Sequence, residues 1–254
     1  MLEEKIRRAA EILANSKHAI VFTGAGISAE SGIPTFRGAG GLWTKYDPEE
    51  VASISGFRRN PRAFWEFSRE LMGKVTAEPN PAHYAIAELE RMGIVRAVIT
   101  QNVDALHQRA GSKRVLELHG SLERLECLDC GERHEWSDVL PELEKGEVPR
   151  CKRCGSYYVK PTVVLFGEPL PRRVLLEAME EARRCDACLV VGSSLVVYPA
   201  AEIPFIAKSS GAKMIIVNAE PTHADGIFDV VIHAKAGEVL PKIVEEVKKI
   251  SRSR

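Results

Sequence analysis

Two short polar clusters and one imidazole carry the chemistry in this 254-residue sequence. The first cluster, Thr23-Gly24-Ala25-Gly26-Ile27-Ser28-Ala29-Glu30-Ser31-Gly32, opens directly off the apolar run His18–Thr23. Gly24, Gly26 and Ala29 fit the Gly-x-Gly-x-x-Ala variant of the dinucleotide fingerprint. In it a glycine turn between a strand and a helix lets a pyrophosphate approach the backbone. The bland alternative is a turn that only reverses the chain. The second cluster is Thr100-Gln101-Asn102-Val103-Asp104, and His119-Gly120 follows it. An imidazole with a reference pKa near ~6.5 is a usable neutral base at physiological pH; the competing reading of His119 is an exposed loop residue. The acidic residue that normally ends a second strand ~20 residues on and binds a ribose is missing, because Asp47 and Glu49 fall in loop sequence. Gly192-Ser193-Ser194 and Asn218 each follow an expected strand, where open α/β sheets bind ligands, and are the substitutes.

Cys127-x2-Cys130 and Cys151-x2-Cys154 have the spacing of a tetrahedral thiolate zinc site, with Arg133–Trp136 between them as a candidate ribbon strand. Four thiolates leave no open position, so the expected zinc is structural and activates no water. Neither a basic stripe nor interleaved aromatics occur over 120–157, which argues against a nucleic-acid-binding ribbon. Cys185-x2-Cys188 sits at a helix–strand junction and reads as buried thiols. His107, one turn after Asp104, reads as a packing or hydrogen-bonding residue; His18, His83, His134, His223 and His233 read as structural or surface.

The elements that position these groups alternate. Helices are expected over 2–16, 82–92, 172–184, 199–210 and 237–250. Buried strands are expected over 18–23, 95–100, 115–118, 161–166, 187–191, 213–217 and 230–233. Such alternation indicates a parallel sheet with helices on both faces. Residues 35–76, with Gly38, Gly40, Gly41, Trp43, Tyr46 and Trp65, read as a mobile loop followed by short helices. Lys+Arg and Asp+Glu balance at 35 each, so net charge advertises neither a nucleic-acid nor a membrane partner. The opening Met1–Arg8 has acids where a signal peptide needs a basic lead, and Val163–Phe166 is far short of the ~20 residues that span a bilayer. A soluble cytoplasmic protein is expected. Only five Asn and two Gln occur, and scarcity of these thermolabile amides points to a thermophilic source. Gln101, Asn102 and Asn218 are three of them, all inside the motifs above.

Gly24–Ser28, Gly32-Ile-Pro-Thr-Phe-Arg37, Thr100–Asp104, His119-Gly120, the four cysteines, Phe166-Gly-Glu168, Gly192–Leu195 and Asn218 together resemble the sirtuins, NAD-dependent protein-lysine deacylases, in family order from about residue 20 to 240. The resemblance is to the single catalytic core of archaeal and bacterial type. It implies a Rossmann-like domain (1–34, 77–120 and 158–254), a cofactor loop and helical module (35–76) and a zinc-binding module (121–157). It also implies NAD as a consumed co-substrate, with an acyl oxygen attacking the anomeric carbon as nicotinamide leaves. On this resemblance His119 would act as base on a ribose hydroxyl, and the products would be deacylated lysine, nicotinamide and O-acyl-ADP-ribose. The same resemblance implies that Asn102 and Asp104 hold the carboxamide, that Phe36 covers the sugar face and that Arg37 neutralises phosphate. Gly24, Ala25, Gly26, Glu30, Thr35, Trp43, Gln101 and Val103 complete that half of the cofactor site. Gly192, Ser193, Ser194, Asn218, Ala219, Glu220 and Ala236 take the adenosine half. Val164, Leu165, Phe166, Gly167 and Glu168 form one edge of a peptide-binding strand pairing, and Val196, Val197 and Tyr198 form the other. The implied partners are acyl-lysine proteins, chromatin or DNA-associated ones among them, with no direct nucleic-acid contact and no membrane. Two departures stand out. Thr35 replaces a common Asp, and Phe64–Leu71 offers Arg69 without the tyrosine of the Tyr-x-x-Arg signature that accompanies acidic acyl groups. Acetyl and longer neutral acyl groups are therefore expected over succinyl. Protein ADP-ribosyl transfer and non-catalytic NAD or ADP-ribose binding are the alternative activities.

Overall fold

The computed structural model describes residues 1–37, 40–72 and 77–253, without the side chains of 70–72; Gly38 of the expected loop therefore lies outside it. In chain order the strands are β1 (Ala19–Thr23), β2 (Val95–Thr100), β3 (Val115–Glu117), β4 (Leu125–Cys127), β5 (Arg133–His134), β6 (Val159–Pro161), β7 (Ala187–Val191), β8 (Lys213–Val217) and β9 (Val230–Ile232). Six of them form one parallel sheet in the order β3-β2-β1-β7-β8-β9. The order reverses between β1 and β7, and a doubly wound sheet binds ligands in the crevice at such a point. β1 and β7 are buried along their whole length, which is why their sequences are unbroken apolar runs without alternation.

Helices cover both faces. Leu2–Asn15, Pro81–Arg91 and Ala236–Arg252 bury Leu13, Ile86, Leu89, Leu240 and Ile243 against one; Arg172–Arg184 and Glu202–Ser209 bury Ala178, Ala182, Ile203 and Ala207 against the other. A second, antiparallel sheet, β5-β4-β6, shares one core with the helical insertion: Phe57, Phe64 and Trp65 pack with Leu125, Cys127, Cys151, Val159 and Leu165.

Several elements differ from the sequence reading. The glycine turn leads into a 3-10 helix, Ala25–Ser31, and not an α-helix; Gly32, at φ 82°, ends it after two turns by accepting the left-handed conformation. The strand expected over 161–166 is only Val159–Pro161, and it belongs to the small sheet. Beyond Pro161 the backbone is drawn elsewhere, with Val164 N donating to His119 O (2.9 Å) and Phe166 N to Ala52 O (2.8 Å). Arg133–Trp136 is a strand only to His134, and a helix not foreseen runs Trp136–Glu144. The insertion is helical at Pro48–Val51, Ile54–Arg59 and Pro61–Met72.

Candidate active site

The parallel register aligns Glu117, Thr100, Thr23, Val191, Val217 and Ile232 in one row at the carboxyl edge of the sheet. Whatever follows these residues forms the crest of the crevice: His119 after β3, Gln101 and Asn102 after β2, Gly24 after β1, Gly192 and Ser193 after β7, Asn218 after β8. Five short sequence motifs are thereby brought to one edge of the sheet by register.

His119 is held by its Nδ1, 3.0 Å from the carbonyl of Gln101. A carbonyl only accepts, so Nδ1 carries the proton and Nε2 of the neutral ring holds a free lone pair. Burial pushes the His119 pKa below its usual value, against the opposing pull of that hydrogen bond. Gly120 makes the turn possible: it sits at φ 72°, and a Cβ there would lie 2.0 Å from Thr162 O.

Beneath the crest lies a buried polar network whose donors run one way. Asn80 N donates to His83 Nδ1 (3.1 Å), so the other nitrogen, Nε2, bears the proton and faces Ser28 Oγ at 3.3 Å. Asn102 Nδ2 donates to Gly24 O (3.0 Å) and to Ser28 Oγ (3.3 Å), and Ser28 passes its single proton to Asp104 Oδ2 (2.6 Å). Asp104 Oδ1 accepts from Leu106 N (3.0 Å). A parallel relay runs from His107 Nε2 to Thr23 Oγ1 (2.9 Å) and from Thr23 to Thr100 Oγ1 (2.8 Å), which also accepts Asn102 N (3.0 Å). Both imidazoles stay neutral, because burial lowers His83 to about 4 and His107 to about 3. Burial raises the Asp104 pKa, with Ser28 and Leu106 opposing. Both amide protons of Asn102 are spent, which leaves its Oδ1 and the remaining lone pairs of Asp104 as acceptors for the amide protons of a carboxamide ligand. Ser28 and His83 were not among the sequence candidates. The signal was there for Ser28, inside the glycine motif, but His83 is visible only once the helix after Asn80 is in place.

Beyond β7 and β8, Ser193 is buried and accepts from Gln101 Nε2 (2.9 Å), while Ser194 is exposed; Asn218 Nδ2 donates to Glu220 O (2.7 Å). Glu30 Oε2 accepts from Gly237 N (2.7 Å) at the start of the helix that begins at Ala236. Thr35 Oγ1 donates to Arg37 O (3.0 Å), and Phe36 packs on Trp43, which stacks on Phe67. Trp43 also meets Phe166 at 6.1 Å between ring centroids, so the loop carrying Trp43 lies against the segment 164–168. Phe166, Val196 and Tyr198 are exposed, and Leu165 is buried.

The four ribbon cysteines converge. Cys127 Sγ and Cys154 Sγ are 3.7 Å apart and Cys130 Sγ and Cys151 Sγ 3.5 Å, with all four sulfurs within 4.8 Å of one another. Thiolates ~2.3 Å from a tetrahedral zinc ion lie roughly 3.8 Å apart, so the set fits one such ion and leaves it no open position. Cys185 and Cys188 are buried and their thiols pushed up by burial, as expected of inert core cysteines.

Residues 24–199 match the sequence model of the Sir2 family. The chain belongs to the Sir2 family. An NAD-dependent protein deacylase 2 of Archaeoglobus fulgidus is 77% identical over 249 residues, 98% of each chain. A solved structure described as the structural basis for the mechanism and regulation of Sir2 enzymes superposes with a TM-score of 0.93 at 77% identity, covering 98% of this chain and 99% of that one. Another, of Sir2Af2 bound to a myristoylated histone peptide, is 69% identical with a TM-score of 0.86 over 99% of this chain and 100% of that one. This Sir2 protein is an enzyme, an NAD-dependent deacylase of acyl-lysine proteins in which NAD is a co-substrate. No helix among the described residues is long and apolar enough to cross a membrane.

Proposed function

We propose that this Sir2 enzyme removes acetyl and longer neutral acyl groups from protein lysines, with His119 Nε2 as the base and Asn102 and Asp104 as the carboxamide clamp. The observation that carries the assignment is the Nδ1 bond of His119 to Gln101 O, which aims a lone pair from the residue beside the Asn102–Asp104 pocket. NAD supplies an electrophilic anomeric carbon and nicotinamide as leaving group; the protein's part is to orient it, exclude water and move one proton. Phe36, backed by Trp43, covers the sugar, and Arg37 offsets phosphate charge. Gly24, Ala25, Gly26, Thr35, Gln101 and Val103 complete the nicotinamide and phosphate half. Gly192, Ser193, Ser194, Asn218, Ala219, Glu220 and Ala236 line the adenosine half; Glu30 braces it through Gly237. The acyl peptide lies as a strand between Val164–Glu168 and Val196–Tyr198. The histone peptide on the similar Sir2Af2 structure supports chromatin-type substrates, and its myristoyl group supports a neutral acyl pocket.

Mass spectrometry of acetyl- and succinyl-lysine peptides, with and without NAD, tests this. NAD-dependent deacetylation with O-acetyl-ADP-ribose as product is expected, at a rate at least about tenfold above desuccinylation, a difference of ~1.4 kcal/mol in the barrier. Comparable turnover of the two peptides would sink the acyl preference, and unconsumed NAD the whole reading.

The same proposal divides the chain into a Rossmann-like domain (1–34, 77–120, 158–254), a cofactor loop with helical module (35–76) and a zinc module (121–157). It also places the enzyme in the cytoplasm of a thermophile, where six reduced cysteines are at home. The zinc-loaded protein is expected to melt above the mesophile range of ~45–65 °C. Chelation is expected to lower that midpoint by about 10 °C or more, because Cys127 and Cys151 sit in the core that the helical module shares. A thermal melt insensitive to chelator would remove the metal from the account.

A further inference from the structure

Outside the reacting pocket, one charged group is buried at a place where its contacts have a direction. Lys160 on β6 is 4% exposed, and its ammonium meets three acceptors: Pro161 O at 3.2 Å, Val163 O at 2.7 Å and Glu168 Oε2 at 3.1 Å. An ammonium has three protons, so none remains for solvent or ligand. Glu168 Oε2 accepts Leu165 N as well (2.8 Å), and Glu168 N returns to Leu165 O (2.9 Å). Burial pushes the Lys160 amine below its ordinary value, and the Glu168 and Glu126 carboxylates oppose that. A buried ion pair is a poor way to gain stability, since apolar residues of similar volume often do as well or better. What distinguishes this pair is where its bonds go, all of them into residues 161–168. That same segment bonds to His119 O through Val164 N, exchanges bonds with Ala52 O and Ile54 N through Phe166, and turns at Gly167 with φ 89°.

We propose that Lys160 and Glu168 are positioning residues for the acyl-peptide substrate, folding 161–168 into a single backbone shape and so setting the peptide-binding edge at a fixed height against His119. The inference rests on Val164–Glu168 being that edge. The cationic head gathers two carbonyls and a carboxylate, which no apolar side chain can do. Between Pro161 and the helix Arg172–Arg184 the segment belongs to no named strand, so a strand ladder does not fix that shape.

The test uses the full-length, zinc-loaded protein, an acetyl-lysine peptide and NAD, with KM measured for each substrate separately. Glu168→Gln keeps an acceptor for Leu165 N and removes only charge; its peptide KM is expected to rise about threefold or more, while the NAD KM stays within about twofold. Lys160→Met is expected to raise the peptide KM at least about tenfold, again with little change for NAD. The double variant Lys160→Met/Glu168→Gln leaves no lone buried charge and serves if a single variant fails to fold; its peptide KM is expected to rise at least about tenfold as well. Wild-type peptide KM in these variants with only a lower melting temperature, or NAD and peptide KM rising in step, would overturn the proposal. Amide exchange separates it from the reading beneath it. Slower exchange over 161–168 on adding peptide to the wild type upholds the edge assignment, whereas unchanged exchange removes both the assignment and the positioning role.

Discussion

Replacing His119 with alanine is expected to lower NAD-dependent deacylation by about 10²–10⁴-fold, the usual contribution of a positioned general base, with a far smaller change in NAD affinity. The ring nitrogen that does the work is identified by its neighbour: Nδ1 is committed to Gln101 O, so only Nε2 can take a proton. Because burial lowers the His119 pKa from 6.5, the acid limb of kcat/KM is expected to inflect below pH 6.5. A confounding effect has the same sign. His83 and His107 are neutral in the fold, at about 4 and about 3, and protonate near 6.5 when unfolded. The unfolded chain therefore binds protons first, and stability is lost as pH falls from 6.5 towards those values. Far-UV circular dichroism at each pH separates the two, since loss of rate with full ellipticity belongs to His119. An alanine variant retaining more than about a tenth of wild-type kcat, or a limb at or above pH 6.5 with the fold intact, would remove His119 from the base's role.

The crest residues were legible because each directly follows an apolar strand, and a parallel sheet puts all such positions on one edge. Register sets His119, Asn102, Gly24, Ser193 and Asn218 along one edge in the strand order β3-β2-β1-β7-β8, and strand identity alone already assigns them to that edge. The cysteines were legible for a similar reason, since two Cys-x2-Cys knuckles admit few geometries. What the sequence concealed depends on long-range contact. His83 looks like any helical histidine until Asn80 N fixes its tautomer and Ser28 meets its other nitrogen across 55 residues. Residues 161–166 have the composition of a strand, but Pro161 and the pull of His119 O and Ala52 O end it early. Glu30 falls inside the cofactor motif, and only the fold places its carboxylate on Gly237 N.

Gly192→Ala is expected to cost more than about 4 kcal/mol, the range reserved for overpacking and backbone strain, and to abolish NAD binding in whatever fraction folds. Gly192 sits at φ 62°, and a Cβ there would lie 2.2 Å from Ile27 N and 2.5 Å from Gly26 C, backbone atoms that cannot swing aside. The contact is reciprocal, because Cβ atoms built on Gly24 and Gly26 would fall 2.7 Å from Gly192 O and Cα. The fingerprint glycines are thus required by the meeting of the β1 and β7 strand ends at the switch point, before any pyrophosphate arrives. Gly211→Ala supplies the control. Gly211 has φ 92° with nothing within 4 Å of its Cβ position, so it pays the left-handed penalty of roughly 1–2 kcal/mol and a fall in midpoint of about 2–8 °C, with NAD affinity unchanged. Calorimetry of both variants with and without NAD decides between the effects. If Gly192→Ala melts no lower than Gly211→Ala and still binds NAD, the close approach of the two turns is not what builds the cofactor floor, and the glycines revert to serving the ligand alone.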